Sequence, residues 1–388
     1  MPDNLHRAAA CWKPRRTETA VNGNRGEREA ADRAWSIGLR GRLGWPVDWV
    51  DWDRGRRDAL FAFLIPPRLI VLFAVNLPSP SEQSPVFRSE VVLGLWPIAG
   101  VTTVGVTAED AERTIAKAIA LGITTFDTAF SYGLNGESDR FLGAAIRGRS
   151  DQFHVISKVG QRYRDDGSRV VDSRPETLIA DAEESLRRIG IDRFDTLMLH
   201  SIDDQVHVEQ SAEALCELRD RGLAVRIGLC NASEAERQRF DAVCRCQAIQ
   251  CPLNLLQSDT LQTVIAGAAS CNNDVLVYWT LMKGLLAGKI SRDHVFPEGD
   301  SRPGYAVFQG EQRARAHRVV DGLREIAGES GCTVAQLSVS WVLSQSGVTA
   351  ALVGARRPDQ IEDVAGAKPL DEETLGRINS LVAENAIT

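Results

Sequence analysis

Four polar residues, Asp127, Tyr132, Lys158 and His200, stand at or just after the ends of three apolar runs. The runs are Ile123-Thr-Thr-Phe-Asp127, followed by Thr-Ala-Phe-Ser-Tyr132-Gly133; His154-Val-Ile-Ser-Lys158; and Phe194-Asp-Thr-Leu-Met-Leu-His200. Each run is short, rich in β-branched or bulky apolar residues, and preceded by a helix-like segment, which is how strands of a buried parallel sheet read. All four side chains then collect at one edge of that sheet. A carboxylate, a phenol, an amine and an imidazole gathered there make a proton-transfer site. A phenol titrates near 10 in water, too weak an acid for ready use at neutral pH. A neighbouring ammonium favours phenolate, so Lys158 is expected to lower the Tyr132 pKa. Asp127 would orient the lysine and balance its charge, and His200 would donate a hydrogen bond to a substrate oxygen.

Taken singly, each residue has a bland alternative. Asp127 could cap a helix or close a turn, Tyr132 could be a loop aromatic, Lys158 a surface lysine and His200 a satisfied histidine. Each alone would be favoured, but jointly they are disfavoured, because three strands would have to end in polar residues on one rim by chance.

The elements that position the four follow an alternating pattern. Candidate strands fall at residues 91–96, 124–127, 154–158, 196–200, 225–229, 248–250, 275–279 and 351–354. Helix-like segments lie around 107–121, 136–147, 174–189, 207–221, 233–243, 258–270 and 311–345. Thr107 is expected to cap the first helix and Gly122 to follow its end. Ser173 is the expected cap of the third, with Pro175 in its first turn and Gly190 stopping it. Eight alternating strands and helices over residues 86–388 make the fold class α/β, a (β/α)₈ TIM barrel, whose usual size is about 250 residues or more. An open doubly wound sheet is the alternative, but no G-x-G-x-x-G stands in the first β–α turn. In a barrel the active site lies at the C-terminal strand ends, where Asp127, Lys158 and His200 close strands two, three and four.

Residues 1–85 read differently. Five of the eight tryptophans lie before residue 53, and residues 1–82 carry 13 Lys+Arg against 10 Asp+Glu, a net of +3 in a chain of net charge −7. No helical or strand period persists there, so the segment is expected to be a disordered extension ending in the linker-like Pro78-Ser-Pro-Ser-Glu-Gln-Ser-Pro85. Its apolar patch at 60–75 falls short of the ~20 residues of a membrane span and is broken by Pro66-Pro67. It also begins too far from the N-terminus for a signal peptide. Met1 is the only methionine before Met198, which raises the hypothesis that this segment is upstream sequence and not part of the native protein. Peptides from residues 1–70 in a mass spectrum of the natural protein would sink it.

The net charge leaves no basic footprint for nucleic acid, and no membrane partner is expected. The eight cysteines form no C-x-x-C pairs, so no metal site is expected and a reducing, cytoplasmic location is the simpler reading.

With these residues in place, residues 91–364 resemble the aldo-keto reductase family. The resemblance rests on Gly122-Ile-Thr-Thr-Phe-Asp-Thr-Ala-Phe-Ser-Tyr-Gly133 with Glu137 and Leu142-Gly143, on Ile156-Ser-Lys158-Val-Gly160, on Glu184-Ser-Leu186 with Ile189-Gly190, and on Leu199-His200. It implies a barrel binding NADP(H) across its C-terminal rim, with Tyr132 as general acid, Lys158 and Asp127 tuning it, and His200 orienting the carbonyl. Among cofactor positions it implies Asn231 and Gln250 at the carboxamide and Tyr278 stacked on the nicotinamide, with Trp96 assigned to the same site. Leu281, Lys283 and Lys289 resemble the pyrophosphate-binding strand end, and Arg302 an arginine of the clasping loop. Gly354, Arg356, Gln360 and Asp363 match residues at the adenosine phosphate. A bidentate arginine suits a 2′-phosphate, which favours NADP over NAD. The sequence departs from the family's pattern at three places: Cys230 replaces a serine, Trp279-Thr280-Leu281 replaces Ser-Pro-Leu, and Val364 replaces an asparagine.

The implied function is NADPH-dependent reduction of an aldehyde, ketone or sugar. The alternatives are a sugar or alcohol dehydrogenase running in the oxidative direction and a non-catalytic NADP(H)-sensing subunit. Substrate choice falls to the loops at 160–173, 201–208 and 291–309. There the charged run Arg162-Tyr-Arg-Asp-Asp166, with Trp96 and Trp279, hints at a polar pocket with aromatic walls suited to a sugar.

Overall fold

A computed structural model describes residues 89–101 and 103–386. The expectations for the extension, including the apolar patch at 60–75, lie outside the described residues. Eight parallel strands close into a barrel: β1 (Val91–Gly94), β2 (Thr125–Asp127), β3 (His154–Val159), β6 (Phe194–Leu199), β7 (Ala224–Cys230), β8 (Ala248–Pro252), β9 (Asp274–Tyr278) and β10 (Ala350–Gly354), with β10 returning to pair with β1. All eight expected strands are present, with ends displaced by up to two residues.

Two apolar layers hold the barrel. Val92, Ile156, Met198, Ala248, Leu276, Ala350 and Leu352 fill its interior. A larger shell, among it Leu93, Ile115, Leu142, Leu178, Leu186, Leu215 and Phe240, packs the strands against the surrounding helices. The helices are built for that contact. In α1 (Ala108–Ala120) Ala111, Thr114, Ile115 and Ala118 recur at helical spacing on the buried face. Thr107 and Asp110 form the reciprocal capping box, and Gly122, at φ +83°, follows the end as expected. Helix α2 (Glu137–Ile146) approaches α3 (Pro175–Ile189) so closely that a Cβ on Gly143 would lie 2.3 Å from the Ile189 carbonyl oxygen, which only glycine permits there.

The structure corrects four local expectations. Ser173 does not cap α3: Arg174 holds that position without a side-chain cap bond. Ser173 is turned inward, where its carbonyl accepts from Ser211 Oγ, while Asp172 takes the Arg174 amide and Thr177 hydroxyl protons at the helix start. The loop at 160–173 carries an antiparallel hairpin, β4 (Gln161–Tyr163) with β5 (Arg169–Val171). The helical stretch at 311–345 is two helices, α7 (Gly310–Ser330) and α8 (Val334–Leu343), because Gly331 takes φ +64° and Thr333 caps a new N-terminus. The segment at 258–270 opens with a widened turn at Leu261–Ile265 before the short α6 (Ala266–Ser270). The chain then closes with α9 (Pro358–Glu362) and α10 (Glu372–Glu384), and α4 (Val208–Asp220) and α5 (Glu234–Asp241) complete the outer ring. No helix of the described residues is long and apolar enough to cross a membrane.

Candidate active site

Strand ends bring the four residues together. Asp127 closes β2, Lys158 is the penultimate residue of β3, His200 directly follows β6, and Tyr132 rides the loop from β2 to α2. The Lys158 ammonium is buried, at 1 % exposure, and all three of its protons find acceptors. They go to Asp127 Oδ1 at 2.6 Å, the Thr128 carbonyl at 3.1 Å and the Tyr132 hydroxyl oxygen at 3.0 Å. The second Asp127 oxygen accepts from Gln250 Nε2 at 2.6 Å. Two charges this deep cost several kcal/mol each to desolvate, and only such complete pairing offsets that cost.

The geometry dictates protonation. Burial opposes the charge on Lys158, but Asp127 and Tyr132 beside it more than offset this and hold the ammonium above its ordinary range. Because Lys158 donates to the Tyr132 oxygen, the phenol's own proton remains available to another acceptor. Burial pushes the phenol up to about 12, with Lys158 pulling the other way. The ammonium does pull the Tyr132 pKa down as expected, but the net position lies above the ordinary phenol value. Desolvation outweighs the attraction, and Tyr132 is a protonated acid throughout the neutral range. Burial, then the Lys158 and Arg169 charges, hold His200 well below its usual value, so its ring is neutral. Its Nδ1 lies 3.4 Å from Ser131 Oγ. Ser131 donating to Nδ1 would leave the ring proton on Nε2, where it can meet a substrate oxygen. The Tyr132 and His200 rings meet edge to face at 5.7 Å.

Residues of the expected cofactor set spread along the same rim. Trp96, in the turn after β1, packs edge-on against Tyr132 at 5.1 Å between centroids. Asn231, just past β7, donates from Nδ2 to the His200 carbonyl at 2.9 Å and accepts from the Tyr278 hydroxyl. Cys230 accepts weakly from the same amide nitrogen at 3.3 Å. Burial pushes its thiol up to about 12, so it offers no charge where a serine hydroxyl would donate. Gln250 is committed to Asp127. Lys283 lies over the Tyr305 and Trp279 rings at 4.1 and 4.9 Å, following half-buried Leu281.

Lys289 pairs with Asp363 at 2.5 Å, and Gln360 Oε1 accepts from the Arg356 amide at 2.9 Å. Arg302 is held bidentate by Asp300. Gly354 ends β10 where a Cβ would sit 2.7 Å from Pro97 Cγ. Val364 is fully buried, so its side chain belongs to the core and not to the rim.

Two features fit an extended dinucleotide. Among the described residues five non-glycine residues take positive φ, and four of them, Asn231, Trp279, Met282 and Lys283, fall in these rim segments. Such strain persists where surrounding structure enforces it, commonly at ligand clamps. The second feature is positive charge just before α9: Arg302 and Arg357 are paired with Asp300 and Asp359, whereas the Arg356 guanidinium donates only to the Val104 carbonyl and has no carboxylate partner among the described residues. Burial, then the Arg302 and Arg357 charges, lower its pKa, with Asp300 and Asp359 opposing, and an anion beside it would complete its pairing.

Sequence reasoning missed a support beneath the lysine. Thr128, whose carbonyl accepts from Lys158, donates its hydroxyl to Asp139 Oδ1 at 2.7 Å, and Ser185 donates to Oδ2 at 2.6 Å. Asp139 is fully buried, and the available signal was its place on the same helix face as Leu142, Gly143 and Ile146. Burial pushes its carboxyl up to about 6, with the Ser185 and Thr128 hydrogen bonds opposing. The folded protein therefore binds this proton more tightly than the unfolded chain. Its stabilising effect is full below about pH 4 and is lost as pH rises through 6, on the order of 3 kcal/mol in all. Urea unfolding of the wild type and Asp139→Asn across that range should show the wild type losing this advantage. Identical pH slopes for both proteins would refute the assignment.

The Aldo/keto reductase family model matches residues 90–383. An aldo-keto reductase of Bacillus subtilis is 32% identical over 305 residues, 77% of this chain and 91% of that protein. An aldo-keto reductase of Schizosaccharomyces pombe, whose name specifies NADP(+), is 26% identical over 68% of this chain and 79% of its own length. The solved structure of a glycerol dehydrogenase from Gluconobacter oxydans superposes with a TM-score of 0.71 at 31% identity, covering 77% of this chain and 92% of that one.

Proposed function

The chain belongs to the aldo-keto reductase family, and from that premise we propose that it reduces an aldehyde, ketone or sugar carbonyl with NADPH, with Tyr132 as the general acid. The observation that carries this reading is the Lys158 ammonium saturated by Asp127, the Thr128 carbonyl and the Tyr132 oxygen. That arrangement points the phenol's spare proton away from Lys158, beside a neutral His200.

NADPH, when bound, supplies the hydride to the carbonyl carbon. His200 Nε2–H and the Tyr132 hydroxyl together hold the carbonyl oxygen and polarise it. As negative charge grows on that oxygen, Tyr132 transfers its proton. Lys158 steadies the resulting phenolate, and Asp127 with Gln250 keeps the lysine charged and aimed. Trp96 and the rim loops exclude water. Oxidation of an alcohol uses the same groups in reverse, and the dehydrogenase among the relatives keeps that direction open. A non-catalytic NADP(H) sensor would have no use for this proton path. Turnover with NADPH across an aldehyde panel separates the readings: tight binding without turnover on any carbonyl would leave the sensor.

NADPH is preferred to NADH in this reading because Arg356, unlike Arg302 and Arg357, has no carboxylate partner among the described residues and is free to take a 2′-phosphate. Arg356→Ala should weaken NADPH binding by roughly tenfold to a hundredfold, the worth of one charge-assisted contact, while moving NADH little. Fluorescence titration of both cofactors measures this. Equal losses for the two would remove the 2′-phosphate from the account.

A further inference from the structure

The hairpin of β4 and β5 sets an arginine at the mouth of the site. Arg169, paired in register with Tyr163, holds its guanidinium 5.8 Å above the Trp96 ring, and Trp96 in turn packs on Tyr132. The hairpin's base is fixed. Arg162 is locked to the fully buried Asp181, which also accepts the Gly160 amide at 3.1 Å, and the Asp172 amide donates to the Gly160 carbonyl. Of the neighbouring arginines, Arg162 and Arg174 are spent in ion pairs, and Arg164 stands exposed in the hairpin's turn, away from the Trp96 ring that Arg169 covers. Among the described residues no carboxylate pairs with Arg169. It is exposed, yet close enough for its charge to bear on His200, after burial and Lys158, and on the Tyr278 phenol.

We propose that Arg169 selects substrates, and that the carbonyl compound reduced here carries an anionic group, phosphate or carboxylate, a few bonds from its reacting carbon. The inference rests on the carbonyl reduction proposed above. An unpaired guanidinium presents a planar fork of donors that matches either anion. Its distance from Tyr132, one indole ring away, sets the spacing between the two ends of the substrate. The Trp96 face holds the guanidinium in place by cation–π attraction, so little rotamer freedom remains to be lost on binding.

The test compares kcat/KM, with saturating NADPH, for matched aldehydes: glyceraldehyde 3-phosphate against glyceraldehyde, and succinic semialdehyde against butanal. The two pairs separate phosphate from carboxylate recognition. At least one anionic member is expected to exceed its neutral partner by about tenfold or more. Arg169→Ala should cut that ratio by tenfold to a hundredfold, chiefly through KM. Arg169→Lys should restore part of it, and added salt should erode it. Arg164→Ala, which removes the same charge from the hairpin's exposed turn, is the control. Neutral aldehydes reduced as well as anionic ones, a ratio unmoved in Arg169→Ala, or an equal drop in Arg164→Ala would overturn the inference alone. A wild type that reduces none of the four but turns over other carbonyls would also overturn the inference alone, whereas no turnover on any carbonyl would overturn the proposed function and this inference with it.

Discussion

Tyr132→Phe is expected to lower kcat for carbonyl reduction by roughly a hundredfold to ten-thousandfold, the usual worth of a positioned general acid. NADPH affinity should stay within about twofold. The substitution removes one oxygen and keeps the ring, so the edge contacts with Trp96 and His200 survive. What disappears is the proton that meets the developing alkoxide. The substrate oxygen keeps only the His200 hydrogen bond, which is why some activity should remain. Stopped-flow oxidation of bound NADPH isolates the chemical step from product release. A variant retaining more than about a tenth of the wild-type rate would mean another group delivers the proton.

Lys158→Met should fail twice. Activity falls, by a factor comparable to that of Tyr132→Phe, because the phenolate formed during reduction loses its steadying charge. Stability falls as well. Asp127 is 1 % exposed and would keep only its bond from Gln250, leaving an uncompensated buried carboxylate. Breaking a buried pair in this way costs about 3–5 kcal/mol. The second substitution Asp127→Asn, made in the Lys158→Met background, removes the stranded charge. The double variant should regain much of the stability and none of the activity. Urea unfolding of the two single variants and the double gives the coupling directly. A Lys158→Met protein as stable as the wild type would mean that Asp127 carries no charge in the folded protein.

The barrel was legible because its strands are short β-branched runs and its helices are amphipathic, the first of them with a full capping box. Thr107 and Asp110 announce α1, and the apolar spacing from Ala111 to Ala118 confirms the face. The convergence of Asp127, Lys158 and His200 followed from strand order alone, since a barrel gathers C-terminal strand ends on one rim. Three things were not legible. The phenol's pKa depends on how far burial outweighs the lysine's attraction, and the chain alone does not give depth. The helix start at Arg174, with Ser173 buried and its carbonyl accepting from the distant Ser211, depends on tertiary contacts. The hairpin carrying Arg169 has three-residue strands rich in arginine, which read as solvated loop charge. Asp139 lay between these cases, since a carboxylate on an apolar helix face was visible but its partners Thr128 and Ser185 come from elsewhere in the chain.

The central claim is that hydride passes from NADPH to a carbonyl carbon while Tyr132 supplies the proton. The most direct measurement uses NADPH deuterated at its transferable position, incubated with the protein and the aldehyde panel, and reads the products by mass spectrometry. The account predicts an alcohol with one deuterium on its carbinol carbon from the wild type, formed at no more than about a hundredth of that rate by Tyr132→Phe. Bound NADPH with no deuterated alcohol from any aldehyde, or equal labelling by the two proteins, would contradict it.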